Sequence, residues 1–286
     1  MIITQQYNSK LKLVKKISHI HSYTTMSQPT TSTGAVSLLD GRVAIITGSS
    51  GGIGRAIVAH LASLGARVVI NYASSSGPAD LLASELNAVH SSPRAVAVQA
   101  DVSDPDAVRT LFDHAEEVFG CPPHILVTCA GVFDTKYPTL AETTVEDFDR
   151  TFAINCRGTF LCCREAARRL SRGGGGRIVT ISSAPARFLI PRYGAYSASH
   201  AAVEAMTRIL AKELMGTGIT ANCVAPGPVA TEMFFAGKTE KAVEAARSLA
   251  GRLGETKDIS AVVTFLVTDE AEWVNGQVIG VNGGFV

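Results

Sequence analysis

"TGSSGGIG", residues 47–54, is the stretch whose reading decides the fold. It follows the apolar run "RVAII", 42–46, and precedes "RAIVAHLASLGA", 55–66. In that second run Ile57, Leu61 and Leu64 recur at helical spacing and Gly65 marks the end. A strand, a glycine-rich turn and a helix in that order let backbone N–H groups approach a pyrophosphate at a helix N-terminus. The spacing, G-x-x-x-G-x-G, is not the commonest dinucleotide fingerprint, and a glycine-rich turn alone is a weak sign. Its place between a first strand and a first helix gives it weight.

Outward from that turn, short apolar runs alternate with helical patterns. "RVVIN" (67–71) is followed by a helix expected near Pro78–Val89, then "AVAVQA" (95–100) and a helix at Pro105–Phe119. "HILVTCAG" (124–131) precedes a longer helix, Val145–Arg172, with Thr143, Thr144, Glu146 and Asp147 placed for capping and "GGGG" (173–176) as its stop. "RIVTIS" (177–182), a helix from Tyr196 to Leu214, "ITANCVA" (219–225), a helix at Thr256–Val267 and "QVIGV" (277–281) complete the series. Strands rich in Val, Ile and Ala that alternate with helices predict a parallel sheet covered on both faces. The expectation is one doubly wound α/β domain of about seven strands over residues 39–286.

Composition narrows the functional classes. A net charge of +1 offers no clustered basic face for nucleic acid. No apolar run approaches the roughly 20 residues that span a bilayer. The six cysteines, Cys121, Cys129, Cys156, Cys162, Cys163 and Cys223, make no C-x-x-C pair, so neither a zinc spacing nor a disulfide framework is expected, and no metal. Residues 1–38 stand apart: they carry Lys10, Lys12, Lys15 and Lys16 and no acidic residue. Such a leader reads as an organelle transit peptide or as an upstream in-frame start before Met26, and cytosol and plastid both stay open for an intracellular, soluble protein.

T-G-x-x-x-G-I-G at 47–54, Tyr196 opening a Y-x-x-x-[K]-like stretch ("YSASH"), and "PG" at 226–227 together resemble the short-chain dehydrogenase/reductase family, over about residues 38–286. "INYASSS", "FLCCREAA", "GTGITANCVAPGP" and "TEMFFAGK" are similar to plant NADPH-dependent aldehyde reductases within it. The resemblance implies a Rossmann domain that transfers hydride between a nicotinamide cofactor and a small aldehyde or ketone, assembled as a homodimer or homotetramer. It assigns Gly48, Ser50, Gly52, Ile53 and Gly54 to the cofactor phosphates, and Asp101 and Val102 to the adenine. Ala130 and Gly131 match the end of the family's N-N-A-G, from which Thr128 and Cys129 depart. Pro226, Gly227, Val229 and Thr231 match the nicotinamide contacts.

The second strand ends in Tyr72, Ala73 and Ser74 with no carboxylate before Asp80, which favours NADP(H) over NAD(H). Arg55 stands near enough to supply charge, although no arginine precedes the second glycine.

The same resemblance makes Tyr196 the proton donor, Ser183 the holder of the substrate oxygen and Asn155 the anchor of a proton relay. The family's lysine, four residues after the tyrosine and on the same helix face, is here His200. Histidine is shorter and mostly neutral at pH 7, so the charge that lowers a tyrosine pKa and the reach to the ribose are both in question. Two readings follow: a reductase that works with His200, or a cofactor-binding relative that does not turn over. Met233, Phe234 and Phe235 offer an apolar lid, and Phe188, Leu189 and Ile190 a second apolar border to the pocket.

Overall fold

The computed structural model describes residues 37–88 and 93–285. Residues 1–36 of the leader and Val89 lie outside the described residues. Seven strands form one sheet: β1 (Val43–Ile46), β2 (Arg67–Tyr72), β3 (Ala95–Gln99), β4 (Ile125–Thr128), β5 (Gly176–Ile181), β6 (Ile219–Pro226) and β7 (Val278–Val281). Their order is β3-β2-β1-β4-β5-β6-β7 and every pairing is parallel. The chain therefore reverses its winding between β1 and β4, where Ala44 pairs with Ile125. In open α/β sheets a ligand crevice forms beyond the strand ends at that reversal.

The two faces of β1 show how the sheet builds its cores. Ala44 and Ile46 pack with Ile57, Val58 and Leu61 of α1 (Gly52–Ser63) and with Ile259, Val263 and Leu266 of α10 (Thr256–Val267). Val43 and Ile45 point the other way, to Val108, Leu111, Phe112 and Ala115 of α3 (Pro105–Phe119). Period-two alternation in a strand of only four residues thus feeds both layers. Phe112 is fully buried, and burial of such a side chain contributes about 3 kcal/mol.

Local chemistry sets the helix ends. Asp104 caps α3 by accepting from Asp106 N, Pro105 follows it, and Gly120 closes the helix at φ 68°. α2 covers Ser76–Asn87, two residues ahead of the expected start. The single long helix expected over 145–172 is instead three pieces: α4 (Val145–Thr151), a π-helical turn (Phe152–Gly158) and α5 (Thr159–Arg169). Thr144 caps its start, its Oγ1 accepting from Asp147 N (3.1 Å). It stops at Arg169, before the glycines, because Leu170 is already extended.

Further along lie α6 (Pro185–Phe188), α7 (Gly194–Glu213), α8 (Glu232–Phe235) and α9 (Glu240–Ala250). No helix among the described residues is long and apolar enough to cross a membrane.

Gly48 meets a double constraint, with φ 59° and an added Cβ that would lie 2.6 Å from Ala130 Cα. Gly48→Ala is expected to lower unfolding free energy by at least about 2 kcal/mol, since an L side chain pays in the left-handed region and here also collides. Urea or guanidinium midpoints measured with matched slopes check it.

Candidate active site

The glycine turn is braced from below. Thr47 is buried, and its Oγ1 accepts from Cys129 N (3.0 Å) and Ala130 N (3.1 Å), tying the turn to the end of β4. Asn71, buried near the end of β2, accepts from Gly48 N (3.1 Å) and donates to Val98 O and Ala100 O. Gly54 cannot carry a side chain, because its Cβ would meet Gly48 O at 2.6 Å. Gly51 and Gly52 are open instead: nothing lies within 4 Å of a Cβ at Gly51, and Thr231 Cγ2 comes no nearer than 3.7 Å at Gly52. α1 starts at Gly52 with no side-chain cap, so its first N–H groups face that opening. This cradle fits a pyrophosphate.

Around it, the predicted contacts gather unevenly. Ser50 is half-buried beside the turn, and Ile53 packs into the core under α1. Tyr72 is half-buried; Ala73 and Ser74 are exposed at the end of β2. Asp101 is exposed, and its Oδ1 accepts from Ser103 N and Oγ at 2.8 Å, forming a turn ahead of α3. Val102 lies against Gly158, which leaves no room for a side chain there. Arg55 reaches away to Glu85 on α2 (2.9 Å), so the end of β2 offers hydroxyls and backbone N–H groups.

On the far side Gly227 N donates to Val281 O (3.0 Å) and Val229 bridges to Gly254. Pro226 ends β6, and Thr231 caps α8 through Phe234 N (3.2 Å).

Tyr196 stands on the first turn of α7, half-buried, with Phe133 edge-on at 5.0 Å between ring centroids. Burial pushes its phenol pKa up; a hydrogen bond with Ser183 offsets part of this, and the neighbouring Cys129 adds to the rise. Ser183 is buried two residues beyond β5, and its hydrogen bond with Tyr196 brings that strand end to the start of α7.

Asn155, carried by the π-helical turn, is fully engaged: Oδ1 accepts from Val132 N (2.8 Å), while Nδ2 donates to Val132 O (3.0 Å) and Ser199 Oγ (3.2 Å). Ser199 Oγ in turn donates to Tyr196 O (2.8 Å). One amide therefore locks the loop after β4, at Val132 next to Gly131, to the helix that carries Tyr196. A π turn at such a point is a common way to aim one side chain inward.

His200 is buried one helical turn below Tyr196, its ring edge-on at 4.5 Å. Desolvation lowers its pKa to about 4, with no carboxylate to oppose it. Its Nδ1 is buried with no partner among the described residues. A buried nitrogen left open in this way asks for a water to complete it. At the end of β4, Thr128 Oγ1 is also buried and without a partner among the described residues, where the resemblance expects an asparagine. Cys129, at the second of those positions, has its thiol pushed up to about 12 by burial.

Phe188 lies tilted against Phe285 (4.9 Å between centroids), and Phe188 and Leu189 are exposed while Ile190 is half-buried. Of the three residues expected to form a lid, Met233 and Phe235 are exposed, and Phe234 is half-buried against the Lys238 ammonium. The sequence reading missed Thr47 and Asn71, signalled by single polar residues at the ends of apolar strands. It also missed Tyr137, Tyr193 and Lys238, which no local pattern connects.

Residues 48–286 match the sequence profile of the family described as "Enoyl-(Acyl carrier protein) reductase". The chain is 60% identical over 257 residues to the NADPH-dependent aldehyde reductase-like protein, chloroplastic, of Arabidopsis thaliana, covering 87% of this chain and 95% of that protein. It is 55% identical over 256 residues to NADPH-dependent aldehyde reductase 2, chloroplastic, of the same plant, covering 86% and 94%. A solved short-chain dehydrogenase from Burkholderia cenocepacia J2315, in complex with NADP, is 38% identical with a TM-score of 0.80, over 87% of this chain and 99% of that one. The chain belongs to the short-chain dehydrogenase/reductase family of oxidoreductases.

The buried imidazole also makes the fold acid-sensitive. In the unfolded chain histidine titrates near 6.5; in the folded chain His200 titrates near 4. Between those values the unfolded state holds more protons, so stability falls as pH drops, by roughly 3 kcal/mol in all. His200→Gln is expected to remove that part of the loss, and unfolding curves of both proteins between about pH 7 and pH 4 check it.

Proposed function

We propose that the chain is an NADPH-dependent carbonyl reductase acting on aldehydes, with Tyr196 as the proton donor. The observation that carries this reading is the half-buried Tyr196 phenol, raised in pKa and set between Ser183 and a neutral His200. The open cradle at Gly51–Gly52 and the absence of a carboxylate at Tyr72–Ser74 support the phosphorylated cofactor. The two Arabidopsis relatives are named for NADPH and aldehydes, and the Burkholderia structure holds NADP. The bound cofactor supplies hydride to the carbonyl carbon.

The residues do the rest. Ser183 Oγ and the Tyr196 hydroxyl converge on the carbonyl oxygen and polarise it. As negative charge grows on that oxygen, Tyr196 gives up its proton. Asn155 holds the helix start in position through Ser199. His200, standing where the family's lysine would be, reaches toward the ribose hydroxyls directly or through a bridging water.

A neutral histidine leaves no positive charge to stabilise a phenolate, so the tyrosine keeps its proton across the neutral range. That state suits donation, hence reduction, and opposes alcohol oxidation until alkaline pH. The second reading, a cofactor-binding relative without turnover, is favoured by one observation, the missing charge at His200.

The two Arabidopsis names include "chloroplastic", which with the lysine-bearing, acid-free leader supports a plastid destination. Exposed Phe160 and Ile209 support pairing of copies through α5 and α7.

NADPH oxidation with small aldehydes should proceed at a rate independent of pH between about 5 and 9, because neither His200 nor Tyr196 titrates there. Tyr196→Phe should lower it by about a hundredfold or more. His200→Lys should bring alcohol oxidation in at lower pH. A silent native chain with an active His200→Lys, both binding NADPH, would select the second reading.

A further inference from the structure

Lys238 lies among aromatic rings at the mouth of this site. Its Nζ is 4.6 Å from the Phe234 ring centroid, 5.2 Å from Tyr137, 5.6 Å from Phe133 and 6.0 Å from Tyr193. Phe133 is the same ring that touches Tyr196 at 5.0 Å, so a single ring separates the ammonium from the phenol. An ammonium carries three N–H donors. One goes to Tyr137 Oη at 2.6 Å, and no carboxylate pairs with Nζ among the described residues. Of the acids that line the pocket with Tyr196, Asp147 meets Lys136 at 3.4 Å, and Asp134 Oδ1 accepts from Lys136 N at 2.9 Å while its Oδ2 is buried without a partner among the described residues.

The chain goes to some length to hold this cation. Gly237, at φ 69°, passes so close to Thr135 that a Cβ would come within 2.4 Å of its carbonyl oxygen. Tyr137 itself sits at φ 53°, an uncommon backbone state for an aromatic residue. Its carbonyl accepts from Arg192 Nη1 (3.0 Å), and Arg192 is also left-handed at φ 72°. Tyr137 and Arg192 are strained, Gly237 supplies a close turn at a φ that glycine adopts freely, and all three meet at Tyr137, whose hydroxyl holds the ammonium. Strain of about 1–3 kcal/mol each persists only where the surroundings enforce it, and it clusters at ligand clamps.

Resting on the reductase reading above, we propose that Lys238 is a specificity-determining residue that takes the carboxylate of a substrate carrying an aldehyde at one end and an anionic group at the other. The aromatic rings exclude water and hold the cation in place by their quadrupoles. Two ammonium protons remain for the incoming oxygens, in a site where a charge-assisted hydrogen bond is stronger than in water. The rings also receive the apolar stem between the two ends. Arg192, exposed at the rim, adds positive potential on the approach.

The test compares a series of semialdehydes of increasing length with their methyl esters, as substrates with NADPH, for the native chain, Lys238→Met and Tyr137→Phe. The native chain should favour the carboxylate over the ester by about tenfold or more in kcat/KM, mainly through KM, with one length best. Lys238→Met, which keeps the stem and loses the charge, should collapse that ratio. Tyr137→Phe, which keeps the ring and frees a donor, should preserve or raise it. Equal ratios in the native chain and Lys238→Met would overturn the proposal, as would a Tyr137→Phe protein that loses both substrates alike, the sign of a mere latch.

Reduction of the esters reports on the reductase reading separately. If nothing is reduced, that reading fails, and calorimetric binding of the matching hydroxy acids to the NADP(H)-loaded protein still decides the role of Lys238. Binding about tenfold weaker in Lys238→Met sustains it, and equal binding refutes it.

Discussion

The backbone of the glycine turn must lie against the end of β4, and the rest of the site depends on that approach. Thr47 and Asn71 enforce it from one side, and Gly48 permits it by lacking a side chain 2.6 Å from Ala130. With the turn pinned there, the winding reversal between β1 and β4 opens one crevice, floored by the strand ends. The uncapped start of α1 faces that crevice, the loop after β4 forms its wall, and α7 enters from the far side. Asn155 joins wall to helix with three hydrogen bonds from one amide. Placement of Tyr196 is therefore a consequence of how the sheet changes direction.

Chemistry then follows from solvent exclusion. The burial that sharpens every polar contact in the crevice also denies His200 its proton and raises the Tyr196 pKa. A lysine at that place would bring a charge that resists neutralisation more strongly; histidine gives up its charge readily. The pair consequently settles as phenol and neutral imidazole. The chain's charged resource lies elsewhere, in Lys238, where aromatic rings and a tyrosine hydroxyl hold it at the mouth.

Much of this was legible in residue order, for identifiable reasons. α3 and α10 have the bounds read from sequence because strong local signals end them: Asp104, Pro105 and Gly120 for one, the reciprocal Glu255 and Asp258 cap for the other. The Tyr196–Ser183 proximity was legible because both residues flank one strand-to-helix crossing. The π turn was not, since "FAINCRG" keeps an apolar pattern compatible with an ordinary helix and the extra residue shows only in the hydrogen bonds. α9 was missed because none of its residues is buried. The Lys238 cage was beyond reach for a different reason: Tyr137 and Lys238 are 101 residues apart, and their meeting depends on left-handed backbone at Tyr137, Arg192 and Gly237.

The central claim, that Tyr196 stays protonated beside a neutral His200, is tested most directly by ultraviolet difference titration of the phenol. Spectra of the NADP-loaded native protein and Tyr196→Phe would be subtracted across the alkaline and neutral range. The account predicts that the phenolate belonging to Tyr196 emerges only above the ordinary tyrosine value of about 10. A Tyr196 phenolate already present near neutral pH would contradict it and mean that a positive charge, from His200 or elsewhere, reaches the phenol after all.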